Sequence, residues 1–304
     1  MAASRAARGA PSGLRIWLMA ARIRTLPAAA SPVLVGTALA GFQHVFDPLR
    51  FLAALIAALF IQVGTNLSND YSDARRGADT EDRLGPVRVT AGGLVPPRQV
   101  LVATYLTFGV AVLAGAYLIA VAGWELLAVG AASILAGVLY TGGPRPYGYE
   151  GLGEVFVFLF FGIVAVAGSY FVQVTRLDWE AFSLAVPVGL LASAILVVNN
   201  VRDIDTDRRA GKRTVAVRLG RERTRVMFAA VVYSAFVLAP VTWWFGPLTP
   251  WLLLSWLSLP LAAGLVRTVR NRADGPSLNQ ALAQSGILQL TFCVLLSAGL
   301  LLSR

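Results

Sequence analysis

Long uncharged apolar runs alternate along this chain with short segments rich in arginine. A helix needs about 20 apolar residues to cross the hydrocarbon core of a bilayer. Backbone polar groups find no water there, so only helices and closed barrels can span it. Of the 304 residues, 57% are hydrophobic and 14% charged. A soluble domain carries about 25% charged residues, and a deficit concentrated in blocks is the pattern of a multi-span membrane protein. Nine spans are expected, with cores near 26–44, 50–69, 100–122, 124–141, 153–173, 183–201, 226–245, 249–266 and 281–302. The expected fold class is an all-α integral membrane protein of nine transmembrane helices. The first run, after Pro27, reads as a retained span. Residues 1–13 read as a disordered basic arm and 14–304 as a single transmembrane domain.

The net charge is +10. On a soluble protein that would suggest nucleic acid, but the distribution argues against such a partner. With the N-terminus in the cytoplasm, every basic residue except Arg50, Arg176 and Arg304 falls on the cytoplasmic side. That is the positive-inside bias of a plasma-membrane protein. It predicts a bacterial inner-membrane protein with its N-terminus in the cytoplasm and its C-terminus on the opposite side. The single Cys, Cys293, excludes an internal disulfide, and the single His, His44, excludes a zinc site of several histidines or a Ser-His-Asp triad near the polar clusters.

Two acidic clusters stand out. The first runs Asn66, Asn69, Asp70, Tyr71 and Asp73, then Gly77 and Asp79. Asn66, Asn69, Asp70 and Asp73 follow i, i+3, i+4 and i+7 and share a helical face. The second runs Asn199, Asn200, Arg202, Asp203, Asp205 and Asp207. Asn199, Asp203 and Asp207 follow i, i+4 and i+8, Asn200 joins them, and Asp205 points elsewhere. Each cluster is followed by an Arg-Arg pair and a glycine, as an ancestral duplication would produce. Both fall at the cytoplasmic ends of their spans, and long loops follow both, which suggests a substrate-binding layer on that face.

Carboxylates at a helix C-terminus face the negative end of the dipole. Two of them about 5 Å apart, at an effective dielectric of about 20, repel by roughly 3 kcal/mol. Something positive must offset that. Carboxylates and amide oxygens without His or Cys favour a hard cation such as Mg2+, and nearby arginines favour a polyanion bound by the same metal. A diphosphate at the membrane surface satisfies both. Solvated loop acids paired with neighbouring arginines would explain one such cluster. Two matched clusters on one face fit a site better.

The same residues carry a family pattern over nearly the whole chain. It comprises Arg24-Thr25-Leu26-Pro27 with Ser31-Pro32, and Asn69-Asp70-Tyr71-x-Asp73 with Gly77-x-Asp79. Arg83-x-Gly85-Pro86-x-Arg88 and Gly92-Gly93-Leu94 follow. Then come Tyr140-Thr141-Gly142-Gly143-Pro144, Gly151-Leu152-Gly153-Glu154, and Asn199-Asn200-x-Arg202-Asp203-x-x-Thr206-Asp207 with Gly211-Lys212-Arg213-Thr214. This resembles the UbiA superfamily of intramembrane prenyltransferases, whose fold is a helical bundle around a central cavity. It is most like the branch that prenylates 1,4-dihydroxy-2-naphthoate in menaquinone biosynthesis. The six-residue step from Asp73 to Asp79 and the Gly-Gly-Pro after Tyr140 favour that branch over the 4-hydroxybenzoate branch. Ile23 departs from it, standing where the branch often has proline, and implies a small change in helix entry.

The resemblance implies that Asn69, Asp73 and Asp79, with Asn200, Asp203 and Asp207, hold two magnesium ions that bridge the diphosphate of a polyprenyl donor. Asp73, Asp79, Asp203 and Asp207 would be the catalytic carboxylates. Arg83, Arg88, Arg145 and Lys212 are candidate diphosphate contacts, and Lys212 would otherwise be a positive-inside anchor. Asn66, Asp70 and Asn199 are further substrate-binding candidates. Tyr71 and Tyr140 would face an allylic cation through their rings or act as interface anchors. Glu154 and Arg202 would support those residues or line the acceptor pocket. The implied product is demethylmenaquinone, with diphosphate and carbon dioxide released. Two alternatives stay open: a related prenyltransferase with another aromatic or lipid acceptor, and a cation-coupled transporter, although transporters usually place such acids near the midplane.

Overall fold

The computed structural model describes residues 13–78 and 84–304, and every regular element among them is helical. The first twelve residues, almost all of the expected N-terminal arm, lie outside the described residues, as do Asp79 and Arg83.

Helix α1 (Gly13–Ala21) leads through a single 3-10 turn into α2 (Leu26–Phe42). Pro27 sits in the first turn of α2, where a missing N–H costs nothing. Asp47 starts α3 (Pro48–Arg75) by accepting from the backbone N–H groups of Leu49 and Arg50 at 2.9 and 3.1 Å. Gly77, at φ 65°, then turns the chain out of the helix. Next come α4 (Pro97–Ala122), α5 (Glu125–Leu139), the short α6 (Gly153–Val157), a π-helical stretch Phe158–Val164, and α7 (Ala165–Val174). Helix α8 (Trp179–Arg209) is the longest at 31 residues. The chain ends with α9 (Val215–Leu219), α10 (Arg221–Leu238), α11 (Val241–Trp244), a 3-10 stretch Pro250–Ser258, α12 (Leu259–Asn271) and α13 (Gly275–Leu302).

Eight helical stretches among the described residues are long and apolar enough to cross a membrane. They correspond to eight of the nine expected spans. The remaining one, expected over 124–141, is α5, a helix of 15 residues. At 1.5 Å per residue it is about 22 Å long, shorter than a hydrocarbon core of about 30 Å.

The main core joins α2, α7, α8, α10 and α13 through Leu39, Tyr170, Leu191, Phe228 and Phe292, all essentially buried. Phe236 and Phe292 meet edge to face with centroids 5.2 Å apart. Small residues let the helices approach, as packing in lipid requires. A Cβ on Gly36 would collide with the Val166 carbonyl, and Gly162 and Gly189 cross with no room for a Cβ on either. The outward faces are apolar: Leu106 and Leu113 of α4 are 68% and 74% exposed, which suits lipid contact.

Two polar ends bound this bundle. At one, Arg50 donates to the Val172 carbonyl at 3.0 Å, Gln43 to Asp178 at 3.0 Å, and Arg304 to the Gly41 carbonyl at 2.6 Å. The Gln43 amide, with the Tyr170 hydroxyl and Arg176, holds the Asp178 carboxyl below the usual carboxylate range. The other end gathers the C-termini of α3 and α8 with the N-terminus of α13.

Candidate active site

The C-terminal turns of α3 and α8 open onto one cavity of about 520 Å3. Its body is apolar, walled by α2, α3, α4, α5, α7, α8 and the π-helical stretch. The wider turn of that stretch brings Phe160, Phe161 and Val164 to the wall. Tyr147 stacks on Phe156 at 4.0 Å, and Tyr140 meets Tyr147 edge-on at 5.4 Å. Burial pushes the Tyr147 hydroxyl well above the usual phenol range. It donates to the Ala136 carbonyl at 2.8 Å and so serves as a donor rather than a base.

The rim is polar. Of the residues expected from the sequence, Asn66, Asn69, Asp73, Arg88, Tyr140, Asn199, Asn200, Asp203, Asp207 and Lys212 all line the cavity. Asp73 is 1% exposed. Its Oδ2 accepts from Arg88 at 3.0 Å and its Oδ1 from the Tyr149 hydroxyl at 2.6 Å. Asn69 Oδ1 accepts from Thr141 at 2.9 Å. On α8, Asp203 takes a two-pronged contact from Arg202 at 2.8 and 2.6 Å, the strong fork geometry of an arginine–carboxylate pair. Lys212 lies 3.7 Å from Asp207. Asp205 points away, to Arg221 at 2.9 Å, as its helical phase predicts.

Six of the expected residues have contacts or positions that the sequence left open. Asp70 does not line the cavity. It is 2% exposed, and its carboxylate accepts the backbone N–H groups of Val89 and Thr90 at 3.1 and 2.9 Å. It pins the loop that carries Arg88. Tyr71 packs in the patch around Leu67 and Val89 and takes Arg75 on its hydroxyl at 3.1 Å, outside the cavity wall. Asn66 reaches the cavity, but its amide donates to the Ala21 carbonyl and Thr25 at 3.0 and 3.1 Å. It anchors the entry to α2. Arg145 is exposed and forms no part of the wall. Arg202 is 2% exposed and fully engaged, with Asn199 and Asn279 accepting from it at 2.7 Å each beside Asp203. Its role is to hold Asp203. Glu154 does not line the cavity either. It accepts from Asn200 at 2.9 Å and holds that amide at the rim.

The sequence reading missed Tyr149 and Asn279, and gave Thr141, which stands in the quoted Tyr140 motif, no role of its own. Tyr149 joins both motifs, since Lys212 also sits 4.6 Å over its ring. Asn279 joins α13 to both sides of the mouth by accepting from Arg202 and donating to the Leu84 carbonyl at 2.9 Å. Tyr149 lies in a stretch with Tyr140 and Tyr147, a signal within reach. Nothing near Asn279 in the sequence announces its role.

The donors around the mouth are carboxylates and amide oxygens, a set that fits a hard divalent cation. Among the described residues no three carboxylate, His or Cys groups crowd together as one metal cluster. The rim therefore suits a cation whose coordination shell is completed by substrate oxygens and water.

Comparison with known proteins agrees. A 1,4-dihydroxy-2-naphthoate octaprenyltransferase of Mycobacterium tuberculosis is 42% identical over 284 residues, covering 93% of this chain and 96% of that one. The protein of the same name from Escherichia coli is 38% identical over 299 residues, covering 96% and 97%. A solved UbiA homolog from Archaeoglobus fulgidus, bound to GPP and Mg2+, shares the fold. Its TM-score is 0.61 at 13% identity, over 93% of this chain and 99% of that one. The UbiA prenyltransferase family model matches residues 29–300, and with these relatives it places the chain in the UbiA prenyltransferase family.

Proposed function

We propose that this protein transfers a polyprenyl group from polyprenyl diphosphate to 1,4-dihydroxy-2-naphthoate, with loss of the ring carboxylate, to give the demethylmenaquinone skeleton. The observation that carries the reading is the rim. Oxygen donors of two helix ends and the cations Arg88 and Lys212 share the mouth of one apolar cavity. The names of the bacterial relatives support the naphthoate acceptor.

Asn69, Asp73 and Asp79 on one side, and Asn200, Asp203 and Asp207 on the other, would hold two magnesium ions. Bound there, magnesium would neutralise the charge that develops on the diphosphate as the allylic C–O bond breaks. Arg88 and Lys212 supply further positive charge to the phosphate oxygens. The apolar wall shelters the prenyl tail and excludes water, which would otherwise capture the allylic cation. The electron-rich ring carbon that bears the carboxylate forms the new C–C bond. That carboxylate then leaves as carbon dioxide and returns its bonding pair to the ring. The Lys/Arg distribution supports a single transmembrane domain in the bacterial inner membrane, its N-terminus and site at the cytoplasmic face and its C-terminus opposite.

Purified protein in lipid would be given a polyprenyl diphosphate, the naphthoate and Mg2+, and the products read by mass spectrometry. The expected result is a prenylated, decarboxylated naphthalenediol that chelation of Mg2+ abolishes. A product with 4-hydroxybenzoate but none with the naphthoate would move the protein to another branch. Cation flux without diphosphate release from any acceptor would make it a transporter.

A further inference from the structure

Tyr149 touches both halves of the mouth, and neither acidic motif contains it. Its hydroxyl donates to Asp73 Oδ1 at 2.6 Å. Its ring lies under the Lys212 ammonium at 4.6 Å, and that ammonium is 3.7 Å from Asp207. Its carbonyl accepts from the backbone N–H of Arg213 at 2.7 Å, which ties the α5–α6 connection to the loop after α8. The neighbours fix this placement. A Cβ on Gly148 would press on the Tyr140 carbonyl, and Gly151 turns at φ 76°. The backbone of Tyr149 thus belongs to the second motif while its hydroxyl reaches the first.

A phenol donating to a carboxylate makes a charge-assisted hydrogen bond. A divalent cation ligated by Asp73 draws on the same oxygen's charge, so hydroxyl and cation compete for it. We propose that Tyr149 is a positioning residue that sets the cation affinity of Asp73 and couples it to the second motif through Lys212. This rests on the reading of the two acidic motifs as a cation site. A cation held by Asp73 would displace the phenol from Oδ1, and the shift of the ring would free Lys212 to turn from Asp207 toward the diphosphate.

The test measures Mn2+ binding to the purified full-length protein by electron paramagnetic resonance, without donor or acceptor. Tyr149→Phe keeps the ring and removes the hydroxyl. It is expected to bind Mn2+ roughly tenfold tighter, a change of about 1.4 kcal/mol. In an Asp73→Asn background the same substitution should change nothing, as a double-mutant cycle on one contact requires. Tyr149→Leu removes the ring as well. With Mn2+ present it should bind inorganic diphosphate about tenfold more weakly than Tyr149→Phe, because Lys212 loses its seat. A merely structural tyrosine would leave Mn2+ affinity unchanged or weaken it in the Phe variant, and either result overturns the inference. Equal diphosphate binding by the Phe and Leu variants overturns the link to Lys212. If Asp73→Asn alone leaves wild-type Mn2+ binding untouched, the metal reading falls and this inference with it.

Discussion

Replacing Asp70 by alanine leaves the backbone N–H groups of Val89 and Thr90 without their acceptor. Both bonds are buried, and a buried donor stripped of its partner costs about 1–3 kcal/mol. The two together oppose the docked loop by about 2–6 kcal/mol. What remains to hold the loop is its apolar foot, chiefly Val89 and Val95 against Leu67 and Val100, at about 1.5–3 kcal/mol per buried side chain, with the Arg88–Asp73 pair and the Asn279 contact to the Leu84 carbonyl. The loss is a large share of what holds the loop, so the loop should open more often while the helices stay folded. Asp70 lies outside the main core of α2, α7, α8, α10 and α13. The consequence reaches the site through Arg88, the residue before Val89, whose guanidinium sits 3.0 Å from Asp73. Hydrogen exchange read by mass spectrometry should show the amides of 88–95 exchanging at least ~30-fold faster, the equivalent of about 2 kcal/mol. Turnover with polyprenyl diphosphate should fall, at most by about 10^2–10^3-fold, which is what complete loss of one positioned charge costs, with little change in thermal midpoint. Asp70→Asn keeps one acceptor oxygen and should fall between. Unchanged exchange in the alanine variant would refute the reasoning. So would a loss of Mn2+ binding as severe as in Asp73→Asn with the loop still protected, because that would make Asp70 a ligand.

Asp73→Asn and Asp207→Asn should each lower turnover by about 10^2–10^3-fold with the protein still monodisperse, and near-wild-type rates in either would remove that residue from the catalytic set. Arg202→Lys keeps the charge but loses the two-pronged contact to Asp203. A lysine cannot serve Asp203, Asn199 and Asn279 together, so the thermal midpoint should drop, and Asn279→Ala should show a smaller drop in the same direction. Donors longer than the apolar cavity should react with kcat/KM values within about threefold of one another, and a steep dependence beyond that length would mean that the cavity expands around its donor.

Helical phase explains both what the sequence revealed and what it misled about. At about 100° per residue, and taking Asn66 as zero, Asn69 and Asp73 lie at about −60° and −20°, and Asp70 at about +40°. The cavity takes the negative side of that arc, and the loop after α3 folds onto the positive side. The four residues share a face by spacing, yet Asp70 belongs to the loop. On α8, with Asn199 as zero, Asn200, Asp203 and Asp207 fall between about +40° and +100°, while Arg202 lies at about −60°. That phase turns Arg202 toward Asn279 of α13. Periodicity reports the face of one helix. It carries nothing about which other segment arrives at the edge of that face, so Asn279 and the loop amides had no signature. The short α5 follows the same logic. Its apolar run reads as a span, but helix length depends on where the Gly-rich segment after Tyr140 ends it.

Charge balance ties these observations together. Three cavity-lining carboxylates, Asp73, Asp203 and Asp207, sit at helix C-termini where the dipole opposes them. Each faces a cation: Arg88 at 3.0 Å, Arg202 at 2.6 Å and Lys212 at 3.7 Å. The three cations are not equivalent. Arg202 is held by Asn199 and Asn279 as well as by its acid and is absent from the cavity wall. Arg88 and Lys212 line the cavity and lie in the loops that follow α3 and α8. On the proposed reading, a diphosphate entering the mouth with its cations would find two side chains able to turn from carboxylate to phosphate, and one that stays to keep Asp203 in place. That division, one fixed cation on a helix and two on loops, would let the site exchange internal ion pairs for substrate contacts without leaving a carboxylate buried and uncompensated.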